Sequence, residues 1–182
     1  IAVKTGKPAA GLGKMVNALE GVKEEGAWKV WREAPAEEDL ANALALLKTE
    51  AEQSALLTAE RDLVTERLVR ELIRQGSNLK LQGNYPEALG RFRIAQKIAE
   101  QIGDQAGFAA TLNSIGSIYS NQGNYAQALE QYQKSLTLSE TLGDKAGIAS
   151  ALRGIGIVRF YQANYTQALD HFQKSLALFE AG

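Results

Sequence analysis

The stretch that decides the fold reads GNYAQALEQY and spans residues 123–132. Matching stretches read GNYPEALGRF at residues 83–92 and ANYTQALDHF at residues 163–172, so the spacing is 40 residues both times. A fixed period of this length is typical of a repeat protein, in which each unit packs on its neighbours. The chain of 182 residues is therefore expected to hold a short array of repeats.

Each period carries the pattern of two helices joined by a turn. In residues 104–143, apolar side chains recur at helical spacing on both sides of Gly123. Gly103 is expected to end one helix and Asp104 to cap the next, because these residue types are favoured there. The turns inside the hairpins are expected to form capping boxes from an asparagine N-cap to the residue three positions later. These pairs are Asn84 with Glu87, Asn124 with Gln127 and Asn164 with Gln167.

Glycine recurs in the middle of the first helix of each hairpin. A glycine inside a helix costs roughly 0.5–1 kcal/mol relative to alanine, so its return at one phase indicates a packing requirement. We expect the second helix of the hairpin to approach closely at this point, where it carries a small residue. The glycines are Gly76, Gly116 and Gly156, and the small residues are Ala88, Ala128 and Ala168.

These positions resemble the tetratricopeptide repeat family. The second repeat supplies the family pattern as Leu112, Ile115-Gly116, Tyr119, Gly123-Asn124-Tyr125, Ala128, Tyr132 and Ser135. The usual unit is about 34 residues, and the longer period is similar to repeats of kinesin light chains and of many bacterial multirepeat proteins. The resemblance implies an all-α, right-handed superhelical solenoid of antiparallel helix hairpins. Its three repeats would be residues 64–103, 104–143 and 144–182.

The first third of the chain differs in pattern. Residues 1–35 are expected to form a small non-helical segment, which is either the end of an upstream α+β domain or a strap on the first helices. Residues 36–63 are expected to form two helices that cap the solenoid, the second begun by a capping box of Thr49 with Glu52. Helix periodicity then predicts the first helix of repeat one over residues 59–82.

Composition excludes several classes of function. The formal net charge of −1 gives no general attraction to nucleic acid or to anionic membranes. There is no cysteine and a single histidine, His171, so we expect neither a thiolate metal site nor any other metal site. No nucleophile motif is present, and no enzyme activity or cofactor is expected. We expect a soluble protein, with the cytoplasm slightly favoured; because Ile1 opens the chain, it is expected to be processed or part of a longer protein.

The resemblance also implies where a partner would bind. In this family the first helix of each hairpin lines a concave groove that holds an extended peptide. Carried over position by position, the groove has a polar and somewhat basic lining that ends in two aromatic rings. Its residues are Arg70, Arg74, Ser77, Lys80, Asn113, Ser117, Asn121, Arg153, Ile157, Phe160 and Tyr161. The alternative for the two aromatic residues is packing against a neighbouring repeat.

The resulting prediction is a scaffold that binds an extended peptide or a partner protein in this groove, with no membrane and no nucleic acid as partner. Two alternatives remain open. The first is self-association, or a spacer or sensor module of a larger protein, and the face for a homo-oligomer would be Leu169, Phe172, Leu176 and Phe179. The second, minor one is nucleic-acid binding through four basic side chains, Arg70, Arg74, Lys80 and Arg153, which salt would weaken.

Overall fold

The computed structural model describes residues 36–180. This part of the chain contains eight α-helices, one 3-10 helix and no β-strand, so the all-α prediction is confirmed. The predictions for residues 1–35 fall outside the described residues. The α-helices are α1 (Ala36–Leu46), α2 (Glu50–Ala59), α3 (Glu66–Leu81), α4 (Tyr85–Ile102), α5 (Gln105–Asn121), α6 (Tyr125–Leu142), α7 (Lys145–Tyr161) and α8 (Tyr165–Glu180); the 3-10 helix is Arg61–Leu63.

The chain divides into two compact units, and the boundary lies within α3, between Glu71 and Leu72. In the first unit, α1 and α2 are joined by the side-chain amide of Gln53. Its Nε2 donates to the carbonyl oxygens of Leu44 and Leu47, each at 3.3 Å. These are carbonyls at the end of α1, which have no partner inside their own helix. The amide of Gln53 therefore caps α1 from the neighbouring helix.

The predicted capping box at the start of α2 is confirmed. The hydroxyl of Thr49 accepts from the N–H of Glu52 at 3.2 Å. The carboxylate of Glu52 accepts in return from the N–H of Thr49 at 3.0 Å. Two backbone donors that the first turn leaves free are thereby satisfied.

The predicted start of the next helix is wrong. Instead of one helix over residues 59–82, α2 ends at Ala59, a 3-10 turn follows, and α3 begins at Glu66. The backbone leaves the helical region at Glu60, where φ is −104° and ψ is 38°, and again at Val64, where φ is −80° and ψ is 79°. Val64 and Thr65 are adjacent β-branched residues, which lower helix propensity. The carbonyl of Thr65 accepts the first bond of α3, from the N–H of Val69 at 3.2 Å, and threonine is a favoured N-cap.

The asparagine capping boxes are also wrong at the two positions where the cap is defined. Asn84 and Asn124 are the N-caps of α4 and α6, as predicted, but neither side chain makes a capping hydrogen bond. The turn supplies the bond instead. The N–H of Tyr85 donates to the carbonyl oxygen of Gly83 at 3.0 Å, and the second turn repeats this bond at 2.9 Å. The glycine carbonyl thus satisfies a donor at the start of each helix.

The turns depend on residues with positive φ. Gly103 ends α4 with a φ of 74°, and Asp104 then caps α5, its carboxylate accepting from the N–H of Gly107 at 2.8 Å. Both predictions are confirmed. The turn inside the third hairpin has alanine where the second has Gly123, and Ala163 adopts a φ of 61°. A side chain in this left-handed region costs roughly 1–2 kcal/mol, so this turn is strained.

The second unit is a stack of antiparallel helix hairpins whose helices pack at the recurrent glycines. A Cβ added at Gly76 would lie 2.6 Å from Cε1 of Phe92 on the facing helix, well inside van der Waals contact. The second helix does approach at the glycines, but an aromatic ring, not the predicted alanine, occupies the space that the missing side chain leaves. Only at Gly116 is the alanine also close, with the Ala128 carbonyl oxygen 3.3 Å from an added Cβ. The three pairs are Gly76 with Phe92, Gly116 with Tyr132 and Gly156 with Phe172.

Buried serines add a polar link between the two helices of a hairpin. The hydroxyl of Ser135 on α6 donates to the carbonyl oxygen of Ala109 on α5 at 2.9 Å. Ser175 makes the equivalent bond to Ala149 at 2.8 Å. Both serines are almost fully buried, so the bond satisfies a hydroxyl that has no access to water. Repeat one has Ala95 at the same place and lacks this link.

Successive hairpins pack through apolar clusters. Tyr132 and Leu136 of α6 pack with Ile155 and Val158 of α7 in one cluster, and α4 packs on α5 in the same manner in another. Within the described residues, the equivalent face of α8 is left open. Its Leu169, Leu176 and Phe179 side chains are each 57% exposed.

Candidate binding surface on the A helices

The first helices of the hairpins, α3, α5 and α7, are called the A helices, and the second ones, α4, α6 and α8, the B helices. All eleven predicted site residues lie on A helices. Arg70 belongs to the first unit and forms an exposed ion pair with Glu66, at 3.3 Å from Nη1 to Oε2. The other ten belong to the second unit, where the structure brings five of them into two groups.

The first group is cationic and involves all three A helices. Lys80 of α3 is half-buried, and its Nζ donates to the hydroxyl of Ser117 on α5 at 3.0 Å. Burial lowers the pKa of the Lys80 ammonium, and the positive charge of Arg153 on α7 lowers it further. Both effects disfavour the charged form. The three residues Lys80, Ser117 and Arg153 are called the cationic group.

A buried tyrosine adjoins the cationic group. Burial raises the pKa of the Tyr132 phenol, whereas its hydrogen bond with Ser117 and the charge of Arg153 lower it. Tyr132 is 4% exposed and its ring lies against Gly116 on one A helix and Gly154 on the next. The Tyr132 ring, which belongs to a B helix, therefore adjoins the cationic group and packs closely against two A helices.

The second group is aromatic and exposed. The rings of Tyr125 and Tyr161 stack with centroids 6.0 Å apart and an interplanar angle of 9°. Phe160 contacts Tyr161 edge-on at 5.9 Å and Tyr165 at 5.5 Å. Phe160 is 53% exposed, and Tyr161 and Tyr165 are each 62% exposed. These rings pack on one another and still present apolar surface to solvent.

Sequence reasoning missed two members of this aromatic group. Tyr125 and Tyr165 lie at the starts of B helices and were not among the predicted site residues. The available signal was their 40-residue spacing, which places an aromatic residue at the same end of each hairpin as Phe160 and Tyr161. The remaining predicted residues lie outside both groups: Ser77 and Ile157 are half-buried, and Arg74 and Asn121 are exposed.

Asn113 lies in a separate polar cleft of about 270 Å³ between α5 and α7. Ser139 of α6, together with Asp144 and Gly147 at the start of α7, also lines it. Asn113 Oδ1 and Ser139 Oγ are buried and have no hydrogen-bond partner. Sequence reasoning predicted Asn113 as a site residue but not the other three. In the other repeats the equivalents of these three positions form part of the hairpin itself, so no binding role was assigned to them.

Two further observations concern other kinds of site. In residues 36–180, no group of three or more histidine or acidic side chains is placed to hold a metal ion. None of the helices described combines the length and the apolar character that crossing a membrane requires. The histidine is His171 on α8. Burial lowers the pKa of its imidazole, Asp170 raises it by a smaller amount, and the charges of Lys174 and Arg159 lower it further.

Comparison with known proteins agrees with this architecture. Residues 107–181 match the family model of the tetratricopeptide repeat. Among solved structures, the chain is similar to BtubC (BKLC) from P. vanneervenii, with a TM-score of 0.57 and 16% sequence identity over 96% of this chain and 75% of that one. At this identity the likeness concerns the fold. Among curated proteins, none matches the chain. Residues 107–181 thus match the tetratricopeptide repeat, and repeats of this family generally mediate protein–protein interaction and typically form non-enzymatic scaffolds.

Proposed function

We propose that the second unit binds an extended peptide segment of a partner protein along its A helices, and that the cationic group binds a carboxylate of that peptide. The observation that supports this most directly is that the Lys80 ammonium, which donates to the Ser117 hydroxyl, lies within the electrostatic influence of a second cation, Arg153. Lys80, Ser117 and Arg153 come from three different helices, so the arrangement belongs to the folded unit and not to one local sequence.

The electrostatics favour an anionic ligand at this place. The Lys80 ammonium loses hydration on burial and lies close to a second positive charge, and both effects are unfavourable for the free protein. A carboxylate would reverse the second effect, because it is attracted by both cations at once. It would accept hydrogen bonds from the ammonium and, in the two-pronged manner that guanidinium favours, from Arg153.

The aromatic group adds an apolar contact at a defined distance. Arg153, Ile157 and Phe160 are spaced i, i+4, i+7 and so lie along one stripe of α7. Seven residues of helix rise by about 10 Å, which an extended peptide covers in about three residues. We therefore expect the peptide to carry an acidic residue about three positions from a large apolar residue.

A charge reversal tests this proposal. We would select binders from a random peptide display library with the folded chain, measure their affinity, and repeat the measurement with Arg153→Glu. Lys134→Glu is the matched control, because it makes the same charge change at an exposed surface pair on α6. Arg153→Glu is expected to weaken binding about tenfold or more, and the control less than about twofold.

Two results would count against the proposal. If the folded wild type selects no peptide, the A-helix surface is not a peptide-binding site. If Arg153→Glu and Lys134→Glu weaken binding equally, the peptide responds to net charge and not to the cationic group. Circular dichroism of each variant would check that its helices are intact.

A second candidate function, self-association, rests on the open face of α8. On α6 the equivalent apolar face is covered by α7, whereas Leu169, Leu176 and Phe179 are more than half exposed. If a second copy of the chain packed its α8 face against the α8 face of the first, the same residues would be buried in both copies. Light scattering at several concentrations tests this: Leu176→Glu should remove any dimer, and a wild type that is monomeric throughout rejects the idea.

A further inference from the structure

The polar cleft between α5 and α7 contains buried polar atoms that lack hydrogen-bond partners. Ser139 is fully buried, and its hydroxyl has no hydrogen bond. The amide oxygen of Asn113 is likewise buried and unpaired. A buried polar atom without a partner costs roughly 1–3 kcal/mol, and most such atoms in folded proteins are satisfied. The amide oxygen of Asn113 can only accept and the Ser139 hydroxyl can accept or donate, so a ligand that supplies hydrogen-bond donors would satisfy both.

The preceding repeat offers an internal comparison. At the positions of Asn113 and Ser139 it has Ile73 and Ala99, which have no polar side-chain atom. The helix caps differ as well. Asp104 uses its carboxylate to cap α5, whereas the equivalent Asp144 makes no side-chain capping bond at the start of α7. The cleft between repeats two and three therefore has three available polar groups. The equivalent place between repeats one and two does not provide them.

Because Gly147 has no side chain, it leaves room for the polar groups of the cleft to lie close together. A Cβ added there would collide with both the Asp144 Oδ2 atom and the Ser139 Oγ atom. The carboxylate and the hydroxyl therefore lie side by side against the bare glycine backbone. Asp144 is the only charged residue among those that line the cleft. The cleft as a whole is acidic, although the neighbouring cationic group is basic.

We propose that this cleft is a specificity pocket for one basic side chain, lysine or arginine, of the bound peptide; the inference rests on the proposed peptide-binding function. A lysine ammonium has three N–H donors, and an arginine guanidinium has five. The carboxylate of Asp144, the amide oxygen of Asn113 and the hydroxyl of Ser139 can accept them. A volume of about 270 Å³ suits the end of a single side chain better than a separate cofactor. Asp144 would repel an acidic side chain at the same place.

The pocket and the cationic group together define a peptide pattern. Asn113 and Ser117 are one helical turn apart on α5, which is about 6 Å. Side chains two positions apart in an extended chain point to the same side and are separated by a similar distance. The bound peptide is therefore expected to place a basic residue in the cleft and an acidic residue two positions away on the cationic group.

Peptide selection with a neutralised pocket tests the inference. Display selections would be run in parallel with the wild type, with Asp144→Asn and with Asp104→Asn. Asparagine is as good an N-cap as aspartate, so helix α7 should remain intact. The Asp104 variant makes the same change one repeat earlier and is the matched control. We expect wild-type binders to have lysine or arginine two positions from an acidic residue, and Asp144→Asn to lose the basic preference while it keeps the acidic one.

The affinities give the corresponding numbers. Wild-type binders should lose about tenfold in affinity for Asp144→Asn and less than about twofold for Asp104→Asn. If peptides are selected without a basic preference, or if this preference survives in Asp144→Asn, the pocket assignment is overturned and the peptide-binding function stands. If no peptide is selected at all, the proposed function fails, and the pocket is then decided by a second measurement.

That second measurement uses n-butylammonium chloride, which carries the end group of lysine. Titration into the wild type would be followed by nuclear magnetic resonance at the Asn113 side-chain amide and the Gly147 backbone amide, with sodium chloride as the blank. Saturable shifts that disappear in Asp144→Asn support the pocket. Shifts equal to those with sodium chloride, or unchanged in the variant, reject it.

Discussion

Substitution of the first recurrent glycine, Gly76→Ala, tests how the hairpins are packed. Two effects oppose each other at this position. Alanine is the better helix former, by roughly 0.5–1 kcal/mol, because glycine loses more backbone freedom on folding. The new methyl group, however, would lie 2.6 Å from Cε1 and 2.9 Å from Cδ1 and Cζ of Phe92. Carbon atoms pack at about 3.5–4.0 Å, so the ring or the helix must move by about 1 Å.

The surroundings of the ring decide which effect is larger. Phe92 has no exposed surface and packs with Ile115 and Ile118 of the following repeat. The ring therefore has no open space into which it can turn. Overpacking of this kind costs about 1–3 kcal/mol, which exceeds the gain in helix propensity. We expect Gly76→Ala to lower the free energy of unfolding by about 1–2 kcal/mol.

Two companion substitutions separate the packing effect from helix propensity. Gly90 lies in α4 with open space at its Cβ position, so Gly90→Ala should stabilise the chain by about 0.5–1 kcal/mol. Gly156→Ala has the same close contact as Gly76→Ala, but its partner Phe172 is only half-buried. That ring can move towards the open face of α8, and the loss should be smaller.

Urea unfolding followed by far-ultraviolet circular dichroism measures all three variants. The expected order of stability is Gly90→Ala above wild type, wild type above Gly156→Ala, and Gly156→Ala above Gly76→Ala. A Gly76→Ala variant as stable as Gly90→Ala would refute the reasoning, since helix propensity alone would then account for both. Phe92→Leu in the Gly76→Ala background should recover part of the loss, because the smaller side chain relieves the contact.

Two further predictions concern a buried charge and a strained turn. Burial, with a smaller contribution from Glu38, raises the pKa of Asp39 from 3.8 to about 6, so the folded chain holds this proton more tightly than the unfolded one. The stabilisation from the protonated Asp39 carboxyl is complete below about pH 4 and is lost as the pH rises through 6, by at most about 3 kcal/mol. In urea titrations, Asp39→Asn should therefore be more stable than wild type at pH 7.5 and equal to it near pH 4. Ala163→Gly should relieve the left-handed alanine and raise the thermal midpoint, and an unchanged or lower midpoint would show that the turn is not strained.

The sequence was sufficient for the features that recur in every repeat. The 40-residue period predicts the helix order, the glycine turns and the close contacts at Gly76 and its equivalents. A packing requirement that recurs in every hairpin selects the same residue type in each repeat. Single, unrepeated features were harder to predict. The helix start at Glu66 depends on Thr65, which competes with the helical pattern of the residues on both sides of it.

The binding surface divides in the same way. The assignment of Lys80, Ser117 and Arg153 to neighbouring helix faces came from position matching, but the hydrogen bond from Lys80 to Ser117 and the charge effect of Arg153 on Lys80 required the structure. The polar cleft could not be found by matching, because it is formed by side chains from α5, α6 and α7 together. No helix face taken alone shows that Ser139 and Asn113 line the same space.

The repeats assign structure and recognition to different positions of one period. Where the three copies agree, as at the glycines under the aromatic rings, the residue serves packing that every hairpin needs. Where they disagree, packing has not determined the choice, and the side chain is free to serve a ligand. Position 113 is the clearest case, since its equivalents are Ile73 and Arg153, one apolar and one cationic. The buried hydroxyl of Ser139, which replaces Ala99, is difficult to explain by packing because it has no hydrogen-bond partner. The departures from the period are therefore the positions at which partner specificity should be tested first.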